Sequence, residues 1–385
     1  MKKIMTTGFA MFAMLFGAGN IVFPLILGRD GGHQVFWGLL GFCFTAVLVP
    51  LLGLFGTMLN HGDYKYLLAP LGKIPAFLLT SGCMVLIGPF GLIPRCITIS
   101  YAVSKMYLPS LSIFGFSLFC AMIMFCSTIK NSFVIELLGK ILGPLKITLL
   151  FTIIIKGLFA PVAFLPVSLT RWEGFHQGFL SGYGTCDLLG TIFLSGLILS
   201  GLKQGMHPEL QADSRAIIKL GLQASVIGGG LLSLVYAGFC IVAAFHGAAM
   251  ANVERADIFS ALSILILGKE GGCLANITVA ITCLTTAIAL TAVFGMYLHR
   301  DLLGGRLAYL PALIITIAIT TGMATLGFGG IMKALAPIIS VIYPFLIFYI
   351  LGNIGWRLWK LQRHRPVSLT MVPESSDWES YTFHE

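Results

Sequence analysis

Four threonines in the stretch NITVAITCLTTAIAL, residues 276 to 290, have the spacing of a single helical face. Thr278, Thr282, Thr285 and Thr286 stand at positions i, i+4, i+7 and i+8, which lie on one side of an α-helix. Hydroxyl oxygens on one face suit a hard cation. The alternative is that each hydroxyl bonds a carbonyl of its own or a neighbouring helix, as threonine commonly does in lipid. The pattern leaves both interpretations open.

Two glycine-rich stretches interrupt apolar segments that otherwise predict membrane-spanning helices. They are MLFGAGNIVFP, residues 14 to 24, and FLSGYGTCDLLG, residues 179 to 190. A helix broken at the bilayer midplane has free N–H groups at one half-helix end and free C=O groups at the other, and these are tolerated where they face a cavity. The donors suit a carboxylate and the acceptors suit a cation. The breaks therefore predict a site for a zwitterion and a small cation, whereas glycines such as Gly38 and Gly41 are typical of close helix packing.

Two ionisable residues, Asp187 and Arg95, lie at membrane depth in this prediction. Asp187 follows the second break directly, and Arg95 lies in the third apolar segment. A charge at that depth costs at least about 2.5 kcal/mol, so it is usually paired or faces water. We interpret Asp187 as a ligand for an ammonium group or as a coupling residue, and Arg95 as a structural or gating partner. The alternative is a buried structural pair, or an Arg95 side chain that snorkels to the membrane interface.

The elements that position these residues follow from composition. Of the 385 residues, 57% are hydrophobic and 10% are charged, which is more apolar surface than a soluble domain of this length can bury. Since about 20 apolar residues cross about 30 Å of hydrocarbon, the sequence predicts an all-α membrane protein with ten spanning helices. Their predicted bounds are about 5–28, 35–58, 76–104, 110–128, 138–163, 176–201, 219–246, 271–297, 306–328 and 333–356.

The distribution of Lys and Arg predicts that both termini are cytoplasmic. With that orientation, internal segments and their flanks hold sixteen of the twenty-four basic residues, Lys146 among them, as expected for cytoplasmic loops. The formal charge of +9 is then explained by topology and by attraction to the anionic lipid bilayer. A nucleic-acid partner is not needed, and the sequence does not determine the oligomeric state.

Motifs of covalent and metal catalysis are missing from the sequence. It has no HExxH, GxGxxG or CxxC motif, its nine cysteines are dispersed through apolar segments, and none of its eight histidines falls in the middle of a predicted span. We therefore expect that the protein is not an enzyme.

The two breaks fall in the first and sixth predicted spans, which suggests an internal repeat. If five spans make one unit, the odd number forces the second unit to be inverted relative to the first. We predict a single transmembrane domain over residues 1–356, with inverted repeats at about 5–163 and 176–356.

Four stretches in a fixed order resemble a known family. MLFGAGNIVFPLILG follows a short basic N-terminus, IGPFGLIPR lies in the third span, GYGTCDLLGTIF in the sixth and CLTTAIAL in the eighth. Together they resemble the bacterial branched-chain amino acid carriers, which are cation symporters for leucine, isoleucine and valine. The similarity covers about residues 5 to 356. It implies the five-plus-five inverted-repeat fold of the leucine transporter, a bacterial inner-membrane location and sodium (Na+) as the coupling ion.

The resemblance also implies ligands. For sodium these are main-chain oxygens of Ala13, Phe16 and Thr282 with the hydroxyls of Thr285 and Thr286. For the amino acid they are Gly17, Ala18, Gly19 and Asn20 on one side, with Tyr183, Gly184, Thr185 and Asp187 on the other.

The sequence departs from the family pattern in two places. Family members usually continue through two more spans after the tenth, whereas here residues 357–385 are expected to form a short disordered cytoplasmic tail. Cys186 stands where a larger apolar residue is expected. In the longest outer connection, residues 247–270, the stretch ERADIFSALSILILG is amphipathic enough to lie on the surface as a short helix or lid.

The function expected from these observations is sodium-driven import of a branched-chain amino acid by alternating access around the two breaks. Proton coupling is an alternative, as is a non-transporting amino acid sensor on the same fold. A passive channel is disfavoured because no ring of charged or carbonyl groups is evident.

Overall fold

The computed structural model describes residues 2–60, 62–129, 133–160, 163–196, 199, 203 and 214–363. The regular secondary structure in this part of the chain is helical, and the part contains no strand. The α-helices are α1 (Lys2–Leu15), α2 (Gly19–Gly31), α3 (Val35–Cys43), α4 (Val49–Leu59), α5 (Tyr64–Leu68), α6 (Lys73–Ile87), α7 (Leu92–Lys105), α8 (Ile113–Ile129), α9 (Phe133–Phe159), α10 (Arg171–Tyr183), α11 (Asp187–Phe193), α12 (Ser214–Phe245), α13 (Ile258–Tyr297), α14 (Tyr309–Ala324) and α15 (Gly327–Arg363). A π-helix, Phe44–Leu48, joins α3 to α4.

Several described helices are long and apolar enough to cross a membrane. By length and composition there are five such stretches in the described chain, with two shorter apolar helices besides. The five are Gly19–Leu59, Lys73–Lys105, Ile217–Phe245, Ile258–Leu302 and Gly327–Lys360. Large apolar side chains are exposed on the outer surface, for example Phe348 at 76% and Val226 at 71%. Water would not favour such a surface, but hydrocarbon does.

Both predicted breaks are present. The first separates α1 from α2 between Leu15 and Gly19, and the second separates α10 from α11 between Tyr183 and Asp187. A third break, not expected from the sequence, separates α6 from α7 at Gly88–Pro89–Phe90–Gly91. Pro89 has no N–H to continue the α6 ladder.

Glycine contacts bring α3 and α10 together at backbone distance. On α10, Gly178 lies so close to α3 that an added Cβ atom would overlap the Gly38 carbonyl oxygen, and a Cβ atom on Gly41 would overlap the Phe175 carbonyl in return. Gly182, one turn further, faces Thr45. The packing interpretation of Gly38 and Gly41 is therefore confirmed.

Two segments differ from their predicted form. The amphipathic stretch of the outer connection is helical, but it continues α13 across a kink at Gly268, whose φ is 76°. Ile258, Phe259 and Leu262 in it are buried and Leu265 is 49% exposed, so this helix packs one face against the protein. At the other end, α15 extends to Arg363, so residues 357–363 are helical, and residues 364–385 of the expected tail lie outside the described residues.

Candidate binding site at the two helix breaks

The first break leaves main-chain donors free at the start of α2. Phe16 N–H still bonds the Phe12 carbonyl at 2.9 Å, Gly17 N–H bonds Leu15 at 3.0 Å, and Asn20 N–H bonds Gly17 at 3.2 Å. The Gly19 N–H group has no bonded main-chain acceptor in the described part of the chain. The N–H groups of Ala18 and Gly19 both lie at the positive end of a 13-residue helix.

The second break contains a residue with an unusual backbone conformation. Cys186 has φ 61° and is the one residue other than glycine with positive φ in the described chain, a conformation that costs an L-residue roughly 1–2 kcal/mol. It stands between Thr185 and Asp187, so the helix is interrupted there and α11 starts at Asp187. Cys186 itself is 3% exposed. The carbonyls of Gly184 and Thr185, which directly follow α10, accept no main-chain N–H in the described part of the chain.

The two breaks meet through Asn20 and Asp187. The Asn20 amide nitrogen lies 3.2 and 3.0 Å from the two carboxylate oxygens of Asp187. It also lies 2.6 Å from the Tyr236 hydroxyl and 2.9 Å from the Leu15 carbonyl, and its two N–H groups can satisfy two of these acceptors at a time. Tyr236 in α12 donates to the Asp187 carboxylate at 3.3 Å. Tyr236, which the sequence did not single out, thus completes a buried network.

The other expected substrate ligands line the same gap. Gly19 backs onto Thr185, whose Cα atom lies 3.4 Å from the position of an added Gly19 Cβ atom. Gly17 faces open space, with no atom within 4 Å of its Cβ position. Tyr183 packs against Tyr343, with ring centroids 4.7 Å apart and the ring planes tilted by 40°, and an added Cβ atom on Gly184 would overlap the Phe23 ring. The structure therefore brings the two halves of the expected set together.

Arg95 reaches the second break from α7. Its guanidinium donates to the carbonyls of Gly184 and Thr185, the latter at 3.1 Å, and lies 5.5 Å from the centroid of the Phe23 ring. Arg95 is 1% exposed. In the described chain no carboxylate lies within 4.0 Å of it, so Arg95 and Asp187 do not form the direct buried pair that was the alternative.

The threonine face of α13 forms bonds within its own helix. Thr278 donates to Leu274 at 2.8 Å and Thr282 to Thr278 at 2.8 Å, while Thr285 and Thr286 both donate to the Thr282 carbonyl at 2.9 Å. These bonds use each hydroxyl hydrogen and leave the oxygen lone pairs available. The hydroxyl bonds that are present are therefore those of the second interpretation, in which each threonine bonds a carbonyl of its own helix.

Lys146 occupies a position that the sequence interpretation did not foresee. Counting it with the cytoplasmic flanks was wrong, because it is 6% exposed and lies inside the protein. Its ammonium donates to the Phe16 carbonyl at 3.4 Å and lies 4.9 Å from the Phe16 ring centroid. Phe16 is one of the expected sodium ligands, so a fixed cation already holds that oxygen. In this conformation the residues fit a sodium ion poorly, since two cations at one carbonyl repel each other.

Ion pairs mark the two ends of the helix bundle. At the end of α2, Arg29 bonds Asp30 at 2.7 Å and the Val253 carbonyl at 2.6 Å, and Arg255 lies 3.8 Å from Asp30. The opposite end holds a cavity of about 390 Å³. Its lining includes Asp63, Lys65, Met84, Phe193, Tyr297 and Asp301. Lys65 and Asp301 on its rim form an ion pair at 2.6 Å.

Sequence comparison identifies the family of the chain. The profile of the family described as branched-chain amino acid transport protein matches residues 1–373. The branched-chain amino acid permease BraB of Bacillus subtilis (strain 168) is 30% identical over 370 residues, covering 94% of this chain and 82% of the relative. The branched-chain amino acid transport system 3 carrier protein of Pseudomonas aeruginosa is 28% identical over 367 residues, covering 93% and 82%. Permease BrnQ of Escherichia coli (strain K12) is 27% identical over 348 residues, covering 89% and 78%. The chain belongs to the branched-chain amino acid transport protein family.

Proposed function

We propose that the protein is a secondary active importer that binds one branched-chain amino acid between its two helix breaks. The observation that supports this most directly is the meeting of Asn20 and Asp187, at 3.0 Å, where the two interrupted helices face each other. The donors at Ala18 and Gly19 suit the carboxylate of an amino acid, and the Asp187 carboxylate suits its ammonium group. Leucine, isoleucine and valine are the expected substrates.

The proposal includes the architecture. Ten spanning helices in one domain over residues 1–356 form two inverted five-helix repeats, at about 5–163 and 176–356, as in the leucine transporter. Both termini are cytoplasmic and the membrane is the bacterial inner membrane. In that orientation the 390 Å³ cavity faces the cytoplasm and the Arg29 ion pairs close the outer end, which is an inward-facing state of an alternating-access cycle.

The coupling ion is proposed with two candidates. Sodium is the first, held by main-chain oxygens of Ala13, Phe16 and Thr282 and by the hydroxyls of Thr285 and Thr286. The proton is the second, and one observation favours it: the Lys146 ammonium bonds the Phe16 carbonyl at 3.4 Å, so sodium can use that oxygen only after Lys146 has moved away.

Uptake of labelled isoleucine into proteoliposomes tests both parts. Wild type is compared with the Thr285→Ala/Thr286→Ala double variant, under an inward sodium gradient, an inward proton gradient and no gradient. A Thr278→Ala variant is the matched control, because its hydroxyl lies on the same face but outside the expected ligand set. Accumulation that needs sodium and is lost only in the double variant supports sodium. Accumulation that ignores sodium and follows the proton gradient supports the second candidate. Isoleucine binding without accumulation under either gradient contradicts transport and supports a sensor.

A further inference from the structure

The Arg95 guanidinium is a buried cation with an unfinished set of partners. Two of its nitrogens bond the Gly184 and Thr185 carbonyls, but its Nε–H, buried from solvent, has no hydrogen-bond partner in the described part of the chain. No carboxylate in that part lies within 4.0 Å of it. A buried charge is usually paired, because leaving it uncompensated costs several kcal/mol. An anion placed beside the Nε–H group would complete the set of partners of Arg95.

The position of Arg95 indicates where that anion would lie. An added Cβ atom on Gly19 would be 2.6 Å from Nη2 and 3.2 Å from Cζ of Arg95, so the guanidinium rests against the first residue of α2. The N–H groups of Ala18 and Gly19 are at that same helix end. A cation and the main-chain donors of a helix N-terminus thus meet at the first break, an arrangement that recognises a carboxylate.

We propose that Arg95 binds the carboxylate of the transported amino acid, together with the N–H groups of Ala18 and Gly19. This inference rests on the proposed function. Without substrate the guanidinium bonds the carbonyls of Gly184 and Thr185. With substrate it turns part of its fork to the carboxylate and keeps one of the two carbonyls, and the released carbonyl accepts a hydrogen bond from the substrate ammonium beside Asp187.

Through this exchange Arg95 affects the binding of both the carboxylate and the ammonium group of the amino acid. The planar guanidinium has five N–H donors in a fixed geometry, so it can hold a carboxylate with two of them while it keeps one carbonyl. Because Gly184 and Thr185 belong to the second break, a ligand that draws Arg95 away from them also releases the end of α10. Substrate binding and movement of the broken helix are thereby linked through α7.

The experiment measures how much the protein prefers a ligand with a carboxylate. Purified full-length protein in detergent binds labelled isoleucine, and unlabelled isoleucine or isoleucinamide competes, at a pH where both amines are protonated. Isoleucinamide retains the side chain and the ammonium group but has a neutral amide for the carboxylate. In wild type we expect isoleucinamide to compete about 100-fold more weakly, as for the loss of one partner of a buried charge pair.

Variants assign that preference to Arg95. In Arg95→Gln the preference should fall to about tenfold or less, because the charge is lost. In Arg95→Lys it should be intermediate, because an ammonium lacks the two-pronged geometry. Arg29→Gln is the matched control: Arg29 is also a buried arginine that bonds a main-chain carbonyl, but it lies away from the breaks, so its removal should leave the preference unchanged.

A structural role for Arg95 predicts a different result. If Arg95→Gln folds and keeps the wild-type preference for isoleucine over isoleucinamide, the inference is wrong. If that variant does not fold, Arg95→Lys decides, and an unchanged preference there overturns the inference as well. Equal binding of both ligands by wild type also overturns it. If wild type binds neither ligand, it is the proposed function that fails, so the two failures are distinguishable.

Discussion

Replacing Gly19 by alanine tests how tightly the two breaks are packed against Arg95. The new methyl carbon would lie 2.6 Å from Nη2 of Arg95 and 3.4 Å from Cα of Thr185. Since non-bonded carbon and nitrogen atoms are comfortable at about 3.5 Å, the guanidinium must move by roughly 1 Å. Its 3.1 Å bond to the Thr185 carbonyl does not survive such a shift. Losing one hydrogen bond from a charged donor costs about 2 kcal/mol.

The effect is measured as thermal unfolding in detergent with a thiol-reactive fluorescent dye. Most cysteines in the described chain are buried, for example Cys83, Cys96 and Cys283, so dye reaction reports unfolding. We expect Gly19→Ala to lower the melting temperature by about 2–3 °C. Gly17→Ala is the control, because no atom lies within 4 Å of its Cβ position, and it should melt close to wild type.

A double-mutant cycle identifies Arg95 as the cause. In an Arg95→Met background the guanidinium is absent, so the further change Gly19→Ala should cost less than half of what it costs in wild type. The reasoning is refuted if Gly17→Ala and Gly19→Ala destabilise equally, or if the cost of Gly19→Ala is the same in both backgrounds.

Three further changes have defined outcomes. Asp187→Asn should abolish isoleucine uptake without reducing the amount of folded protein, because it removes the proposed partner of the ammonium group; wild-type uptake would end that assignment. Gly178→Ala should reduce folded yield sharply in fluorescence-detected gel filtration, since its methyl would overlap the Gly38 carbonyl, whereas Gly190→Ala has open space and should accumulate normally. Lys65→Gln removes an exposed ion pair, so a melting-temperature change equivalent to much more than about 1 kcal/mol would contradict its peripheral role.

The two predicted breaks were readable from the sequence because glycines at membrane depth have a direct physical meaning. Gly17 and Gly19, or Gly182 and Gly184, each fall within an apolar run long enough to span a membrane. A soluble helix could end at such residues without consequence, but in lipid every freed backbone group needs a partner. Because of that requirement, the glycines within the two apolar runs predicted a binding site at the breaks.

Other features depended on contacts that no local pattern encodes. Tyr236 looks like any aromatic residue of an apolar helix, and only tertiary packing places its hydroxyl on Asp187. Lys146 was assigned to a helix flank because lysines there are common, although its place well inside the predicted span 138–163 was a usable sign of burial. The third break had a signal, Gly88–Pro89–Phe90–Gly91, which was hidden by an apolar run long enough for one helix.

The π-helix between α3 and α4 gives the bundle a mechanical property. Its residue Thr45 donates to the Phe179 carbonyl at 2.8 Å. This irregular turn therefore lies beside α10, near the break between α10 and α11. On one side of that level α3 and α10 are locked by backbone contact, and on the other α4 and α11 pack together, with Gly53 against Leu188. The two helices of each pair are held tightly together, and the irregular turns that separate the pairs lie at the same level. Bending is therefore easiest at that level, and the α3–α10 pair can rotate relative to the α4–α11 pair with little loss of helical hydrogen bonding.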